Sequence, residues 1–553
     1  MSFKKFKDPV YGYIEIDNQL ISQIIDTANF QRLRDIIQTS YSPLYTSAVH
    51  NRFTHSLGVY HLGRIAARAF ENSCSLNHIS SFHTVKDYLP VFEIACLLHD
   101  VGHAPFSHTG EDFYFDNTKH EALHKIIISL TDDALLPIEI SKNSYKAAAH
   151  ELMSVIVGLN VYGAVIEKSR WSFFARCITG YKYTESLTDK KQLLNCLIEL
   201  LNSSMIDVDK LDYLIRDAYM TGFENIRIDY IRLLESIYVF RQNAEYRLCY
   251  YKTAVSVIEN VVYARDAERK WLQNHPAVLY EAYLLQNILS DIIETCMKKT
   301  YIPYDCLTNN GLKTESFGII RLLSDSDIIY FMKNLPCHEL AAEYLDRSLR
   351  KHPIWKTEAE YQAIFSGNEE AAQTIEREFA DLKKELNGLG YSNTISQNAL
   401  AACRMDARQL ELEYETNALP QLKMSLRKRK RQIQIMEALY HFADRENLEF
   451  NFTIISTKQF NSGFGKPEFS KISMVFPEIA VPCEFGSISH TLKASESTGE
   501  NFFYIYYTRK ELNQKIHISE LIKELLNIAY EIAQEQIRSA AERNTQAAAN
   551  RLK

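Results

Sequence analysis

CLLHDVGHAPFSH, residues 96–108, sets three histidines and an aspartate at and just beyond the end of an apolar run. The residues before and into it, Val91 to Leu98, form an apolar run of helical character. That run ends in His99-Asp100. Gly102 and Pro105 then interrupt the helix and leave His103 and His108 on the turn that follows. The residue mix suits one chemistry. A neutral imidazole is a good ligand for Zn, Mn or Fe, and a carboxylate adds charge that tightens the hold on a divalent ion. Adjacent His and Asp at a helix end can straddle one metal, so two further ligands must come from elsewhere.

Outward from this stretch, histidine is concentrated. Of 17 histidines, eleven fall between His50 and His150 and none between residues 151 and 274. A uniform scatter would place about three in the first window. His55 lies in HNRFTHSLGVYHL, at the start of an apolar helix. Asp209 lies in MIDVDKLDYLIRD, where Ile206, Val208 and Leu211 interleave with Asp207, Asp209, Asp212 and Asp217. Carboxylates this dense repel one another unless cations sit near them; Lys210, Arg216 and a metal would supply them. A His-Asp pair alone has roughly one chance in ten of marking a metal site. The joint pattern is stronger: an apolar helix, the pair, a Gly/Pro turn, two more histidines, an upstream His and a downstream Asp. His55, His99, Asp100 and Asp209 are the expected ligands of a divalent ion.

Composition bounds what else the chain can be. Its 553 residues suggest two or three domains. Hydrophobic residues make up 46% and charged residues 24%, as in folded soluble proteins. The net charge of -7 gives no global basic field for nucleic acid or an acidic membrane, so any anion site must be a local pocket. No apolar run is long enough to span a bilayer, and the N-terminus lacks the apolar core of a secretory signal. Ten scattered cysteines without a CxxC pair read as reduced thiols and point to the cytoplasm.

The periodicity is mostly helical, over 17–38 (with Asp17-Asn18 as N-cap), 57–71, 91–99, 147–160, 191–220 and 254–298. Shorter segments follow near 318–333 and 338–350. From 358 to 445 Glu, Lys, Arg and Ala rise, which predicts exposed helices with a break at Asn387-Gly388. KISMVF and NFFYIYYTR are β-rich and flank the polar loop SISHTLKASESTGEN. An amphipathic helix is expected over 518–543. The fold class is mainly α, a helical bundle with a smaller α+β C-terminal region.

At the motifs DPVYGYIEI, IIDTANFQRLRDIIQ, HNRFTHSLGV, HDVGHAPFSH, HELMS and IDVDKLDYLIRD, the chain resembles the HD-domain phosphohydrolases. Among these it looks most like the deoxynucleoside triphosphate triphosphohydrolases of the type that includes the SAM-and-HD-domain dNTPase; no SAM domain is expected before the first motif. The resemblance covers residues 7–290 well and the rest loosely. It implies an HD domain over 1–300, a helical lobe over 301–445, and an α+β region with a terminal helix over 446–553. It implies metal binding by His55, His99, Asp100 and Asp209, with Mn, Fe, Zn and Mg all open. Arg52, Lys210, Tyr213 and Asp217 match residues that hold the triphosphate and sugar, and Gln38 one near the sugar 3′-hydroxyl and base. His103 and His108 match histidines facing the α-phosphate. His150-Glu151, in HELMS, matches the HExxS segment, with His120-Glu121 a rival pair, and Glu111 stands where an acidic residue supports a catalytic His. Asp26, Gln31 and Arg34 match a guanine-nucleotide activator site of tetrameric members, whose plain alternative is a capped amphipathic helix.

The implied reaction is metal-assisted hydrolysis at the α-phosphorus. His108 would protonate the leaving 5′-oxygen, and His150, supported by Glu111, would orient it. A deoxynucleoside and inorganic triphosphate would result. Two other readings share these residues. One is a different HD activity: a nucleotide monophosphatase, cyclic-nucleotide phosphodiesterase or (p)ppGpp hydrolase. The other is a nucleic-acid-binding or scaffold protein with a degenerate site, for which SLRKRKRQ (425–432) is the supporting feature. The usual behaviour of such a charge run is a solvated helix face. A homo-oligomer is expected from the resemblance.

Overall fold

The fold is described by a computed structural model, over residues 3–551 apart from 115–119, 143–146, 224–226, 243, 316, 335–338, 458–466, 480, 490–501 and 512–513. It is mainly α with small sheets. Most of the loop SISHTLKASESTGEN falls outside the described residues. Two compact units are made from interleaved stretches of chain: residues 1–273, 281–341 and 461–498 in one, 274–280, 342–460 and 499–553 in the other.

The first unit opens with a hairpin that helical periodicity does not announce. Strands Phe3–Asp8 and Gly12–Asp17 pair antiparallel, with Phe3 opposite Asp17 and Asp8 opposite Gly12. Ile14 and Ile16 face inward while Tyr13 is exposed, the alternation of a one-sided strand. The Asp8 carboxylate closes the turn by accepting from the Val10 and Tyr11 amides.

Asp17 then caps the next element through the Gln19 amide, but the single helix predicted over 17–38 is replaced by short pieces. These are Asn18–Leu20, a π-helical turn Ile21–Ile25, Ala28–Gln31 and a 3₁₀ turn Arg32–Asp35. The chain must become extended after Asp35. The Arg52 amide donates to the Ile36 carbonyl and the Gln38 amide to the His50 carbonyl, both at 2.9 Å. This bridge fastens the entry of the next helix.

That helix, Arg52–Leu76, is central to the unit. It packs against Leu89–Leu98 on one side and Val208–Thr221 on another. Asn51 caps it by accepting from the Thr54 amide. The stretch predicted as one helix over 191–220 is two, Asp189–Leu201 and Val208–Thr221, with Asp207 capping the second. The helices expected through 254–298 are Val255–Ala267 and Pro276–Met297, joined by a π-helical turn Glu268–Gln273. A second hairpin, Ile237–Gln242 with Glu245–Tyr251, is also new. Ser473–Val475 joins it parallel to Glu245–Tyr251, and Cys483–Glu484 pairs antiparallel with Ser473–Val475.

The second unit contains helices Glu369–Gly388, Gln397–Asn417, Pro420–Arg445 and Ser519–Arg551. Its antiparallel sheet runs His352–Pro353, Phe503–Tyr507, Asn451–Ser456, Thr394–Ser396. Phe503 to Tyr507 are all buried. Trp355 is fully buried beside them and donates from Nε1 to the Phe503 carbonyl at 3.0 Å. The basic run lies within Pro420–Arg445 and meets acids: Lys428 with Asp381, Arg429 with Glu385 and Asp406, Lys430 with Glu411, and Arg431 with Glu378.

Candidate metal centre and active site

Three helices deliver the four candidate ligands. His55 lies in the first turn of Arg52–Leu76 and His99 follows Leu89–Leu98 as its C-cap. Asp100 follows directly. Asp209 stands in the first turn of Val208–Thr221, where Asp207 accepts from the Lys210 amide at 2.7 Å. His55 Nε2 is 3.0 Å from Asp209 Oδ1, 3.4 Å from Asp100 Oδ2 and 3.2 Å from His99 Nε2. His99 Nε2 is 3.5 Å from Asp100 Oδ2 and 3.6 Å from Asp209 Oδ1. Metal bonds of about 2.0–2.2 Å in a tetrahedral or octahedral shell separate neighbouring donors by roughly 3.0–3.6 Å. Two imidazole nitrogens and two carboxylate oxygens at these spacings fit one divalent ion.

The opposite ring nitrogens are also engaged. His99 Nδ1 faces the Cys96 carbonyl at 2.9 Å and His55 Nδ1 faces Asp212 Oδ2 at 2.7 Å. Donation from Nδ1 fixes the tautomer that presents the Nε2 lone pair to a metal. Asp212 is itself held by Arg216, at 2.9 and 3.0 Å, and Arg216 reaches back to Asp8 at 2.9 Å. Burial opposes ionisation of Asp212, but Arg216 and His55 hold its carboxyl down to about 2. A Cβ on Gly58 would stand 1.9 Å from Asp212 Oδ1 and 2.5 Å from an Arg216 nitrogen, so the helix approaches this relay closely only because residue 58 is glycine. The sequence signal for the relay was the i, i+4 spacing of Asp212 and Arg216. Asp8 could not be placed without the hairpin.

Beyond Asp100 the chain turns through Phe106 and Ser107, both with left-handed φ, 55° and 54°. Asp325 receives the Phe106 amide at 2.6 Å and the Ile37 amide at 2.8 Å, and so pins this turn to the segment before Arg52–Leu76. Gly102 donates to Ser154 Oγ at 3.0 Å, and a Cβ there would meet the Ser154 amide nitrogen at 2.4 Å. Ser154, of HELMS, is thus tied to the turn that carries His103.

The turn and helix Ala149–Tyr162 bring together a second group. His103 stacks on His150, with ring centres 4.4 Å apart and planes 15° from parallel. His108 stands edge-on to both, at 5.2 and 5.1 Å. Glu111 bridges the two outer rings: His108 Nδ1 lies 2.9 Å from Oε1, and His150 Nδ1 bonds Oε2. Burial lowers the pKa of His150, but Glu111 more than offsets this and raises it to about 9. Glu111 is held far below the usual carboxylate range, because His150 and His108 outweigh its burial. Burial and the nearby Arg52, His150 and His108 keep His103 well below its usual value. His120 begins the separate helix His120–Thr131.

The other expected site residues occupy varied settings. Arg52 is buried and donates to Asp100 Oδ2 at 2.6 Å and Ser107 Oγ at 2.9 Å. Lys210 Nζ is held by Asp207 at 2.5 Å and the Ser203 carbonyl at 2.8 Å. Tyr213 is half-buried one turn beyond Asp209. Asp217 is buried and accepts from His50 Nε2 at 2.7 Å, a partner the motif reading missed. Gln38 is buried two residues past Ile36. Asp26 and Arg34 are exposed; Arg34 donates to Gln31 Oε1 at 2.7 Å and lies 3.6 Å above the Phe53 ring.

The HD domain family matches residues 52–152, which include His55, His99, Asp100 and the second histidine group. Deoxynucleoside triphosphate triphosphohydrolase SAMHD1 of Gallus gallus is 30% identical over 59% of this chain and 49% of its own length. Its counterpart in Danio rerio is 28% identical over 55% of this chain and 45% of its own. An uncharacterised protein of Mycoplasma genitalium is 29% identical over 47% of this chain and 53% of its own. The chain thus spans about half the length of these curated relatives. A hypothetical protein of Aquifex aeolicus, 16% identical, shares the fold over 95% of this chain and its own entire length, with a TM-score of 0.52. The chain therefore carries an HD domain at residues 52–152 and resembles, in sequence, the HD-domain deoxynucleoside triphosphate triphosphohydrolases.

Proposed function

We propose that this protein is a metal-dependent phosphohydrolase that splits deoxynucleoside triphosphates into a deoxynucleoside and inorganic triphosphate. One observation carries the reading: four donor atoms of His55, His99, Asp100 and Asp209 spaced for a single divalent ion, beside three histidines organised by Glu111. A divalent ion bound by those four would supply Lewis acidity and lower the pKa of a coordinated water. The chain's own residues do the rest. His150, cationic at neutral pH, and Arg52 place positive charge beside the phosphates, where a water-poor site makes it most effective. Lys210 and Tyr213, on the helix that carries Asp209, hold the distal phosphates and sugar, and Asp217 and Gln38 the nucleoside. Burial lowers the pKa of His108 and Glu111 opposes this; in the imidazolium form, with Nδ1 donating to Glu111, its other nitrogen gives a proton to the departing 5′-oxygen as water adds to the α-phosphorus. His103 backs His150 by stacking.

Asp26, Gln31 and Arg34 bind an activating guanine nucleotide in this reading, and the protein assembles as a homo-oligomer; Arg34→Ala should abolish stimulation by GTP, and a wild type that neither GTP nor dGTP stimulates overturns the activator site. Product analysis decides the main claim: each deoxynucleoside triphosphate, with and without GTP, across Mg, Mn, Fe and Zn. Release of inorganic triphosphate is the expected outcome. Release of orthophosphate or pyrophosphate instead would move the protein to another HD activity, and no hydrolysis with any metal would overturn the reading.

A further inference from the structure

Helix His108–Glu111 begins directly after the two left-handed residues Phe106 and Ser107, so the course of that turn decides where the His108 ring stands. Non-glycine residues adopt such φ values at a cost in free energy, and they keep them only where neighbouring contacts fix the backbone. Those contacts converge from one distant element. Asp325, the first residue of helix Asp325–Asn334 and 7% exposed, accepts from the Phe106 amide at Oδ1 and from the Ile37 amide at Oδ2. The Ser107 hydroxyl closes the ring by donating to the Ile37 carbonyl, and Arg52 Nε donates to Ser107 Oγ at 2.9 Å. Arg32 adds a second tie: it donates to the Leu323 carbonyl at 2.8 Å and to the His103 carbonyl, joining the approach to Asp325 to the start of the same turn.

We infer that Asp325 is a positioning residue for proton delivery: its carboxylate, gripping the Phe106 and Ile37 amides together, holds the turn that presents His108 to the leaving oxygen. This rests on the hydrolytic reading above, in which His108 is the proton donor. Glu111 lies on the same short helix as His108 and moves with it, so it fixes the ring relative to the helix. Asp325 fixes the helix relative to the segment that enters Arg52–Leu76, and so relative to the metal centre. Both carboxylate oxygens are needed, because each takes an amide from a different segment. A side-chain amide at position 325 would offer one acceptor oxygen and turn its NH2 towards a backbone donor. Arg52 keeps its own bond to Asp100 at 2.6 Å, so loss of the Asp325 grip should spare phosphate binding. Proton transfer is less forgiving: a displacement of about 1 Å from productive geometry costs on the order of 100-fold in rate.

Steady-state hydrolysis of a deoxynucleoside triphosphate by the whole chain, with bound metal measured alongside, tests this. Asp325→Asn preserves size and should lower kcat and kcat/KM equally, roughly ten- to hundred-fold, with metal content unchanged. His108→Asn alone should lower them at least as far. Added to His108→Asn, Asp325→Asn should cost nothing further, because the proton donor that it positions is already gone. A purely structural role would instead multiply the two effects. Asp325→Ser replaces the asparagine variant if that does not fold. An unchanged kcat in Asp325→Asn, a loss explained by raised KM or missing metal, or full multiplication in the double variant overturns the assignment alone. Turnover left intact by His108→Asn overturns the proton-donor reading and the assignment with it. No hydrolysis by wild type overturns the substrate class on which both rest.

Discussion

At the residue scale, the candidate ligands and their supports make separable contributions. Asp209→Ala or His99→Ala should lose bound metal, read by elemental analysis, and turnover, while the far-ultraviolet helical signal persists. Turnover retained in both would sink the proposed centre. Asp212→Ala takes away the carboxylate that orients His55 and leaves buried Arg216, among the described residues, with Asp8 as its remaining ion-pair partner. Breaking a buried pair in this way costs about 3–5 kcal/mol. Metal affinity should fall roughly 10–100-fold as well. Glu111→Gln should release His150 from about 9 towards lower values, because the neighbour that opposes burial loses its charge. The alkaline limb of the pH–kcat/KM profile should then move to lower pH, and an unmoved limb would remove His150 from that limb. The ligand residues themselves were legible from the histidine clustering. Asp8, His50 and Asp325 were not, because each acts on the site through a contact between segments far apart in sequence.

At the element scale, the site depends on close helix approach and on one strained turn. Gly58→Ala would drive a methyl into Asp212 and Arg216, both fixed by ion pairs. Overpacking of this kind typically costs about 1–3 kcal/mol. Urea unfolding should show that loss, with weakened metal binding alongside it. In the second unit, Arg429 is 7% exposed and held by Asp406 and Glu385. Arg429→Ala should destabilise helix Pro420–Arg445 by about 1 kcal/mol, because the carboxylates it leaves, Glu385 and Asp406, are 31% and 37% exposed and regain water. The same ion pairs bear on nucleic-acid binding by SLRKRKRQ: charges met by carboxylates release few counterions from a phosphate backbone. A salt-dependent gel shift abolished by changing Arg427–Arg431 would restore that rival.

At the scale of the whole molecule, proton binding sets how stability depends on pH. Burial and Asp217 raise Glu268 from 4.5 to about 8, and burial raises Asp325 from 3.8 to about 7 against its backbone hydrogen bonds. His150 is raised from 6.5 to about 9. In each case the folded state keeps a proton that the unfolded chain has already released. Stability therefore falls as pH rises across these windows, by up to roughly 1.4 kcal/mol per pH unit for each group. His103 and His108, held below 6.5 by burial, work the other way at lower pH, so melting temperatures of metal-free protein should decline between about pH 6.5 and 9, and Glu268→Gln should make the change with pH between 4.5 and 8 less negative than in wild type. A slope unchanged by that variant would mean Glu268 is not protonated in the folded state.

Local chemistry made part of this protein readable in one dimension. Apolar periodicity marks helices such as Arg52–Leu76 and Leu89–Leu98, and the His-Asp pair after the second needs only its own neighbours to look like a metal site. Asp17 and Asp207 cap helices through amides two and three residues away, so their side chains speak for themselves. Tertiary structure decided what depends on partners distant in the chain. The apolar pattern of 17–38 is compatible with one helix, yet the bridge from Ile36 and Gln38 to His50 and Arg52 breaks it into turns. Whether a buried Asp, Glu or His is a ligand, a support or a proton store is set by the field around it. His55, His99, Asp100 and Asp209 could be named from sequence, but their 3.0–3.6 Å spacing, and the Asp8–Arg216–Asp212 relay behind His55, exist only once separate helices and a hairpin have packed together.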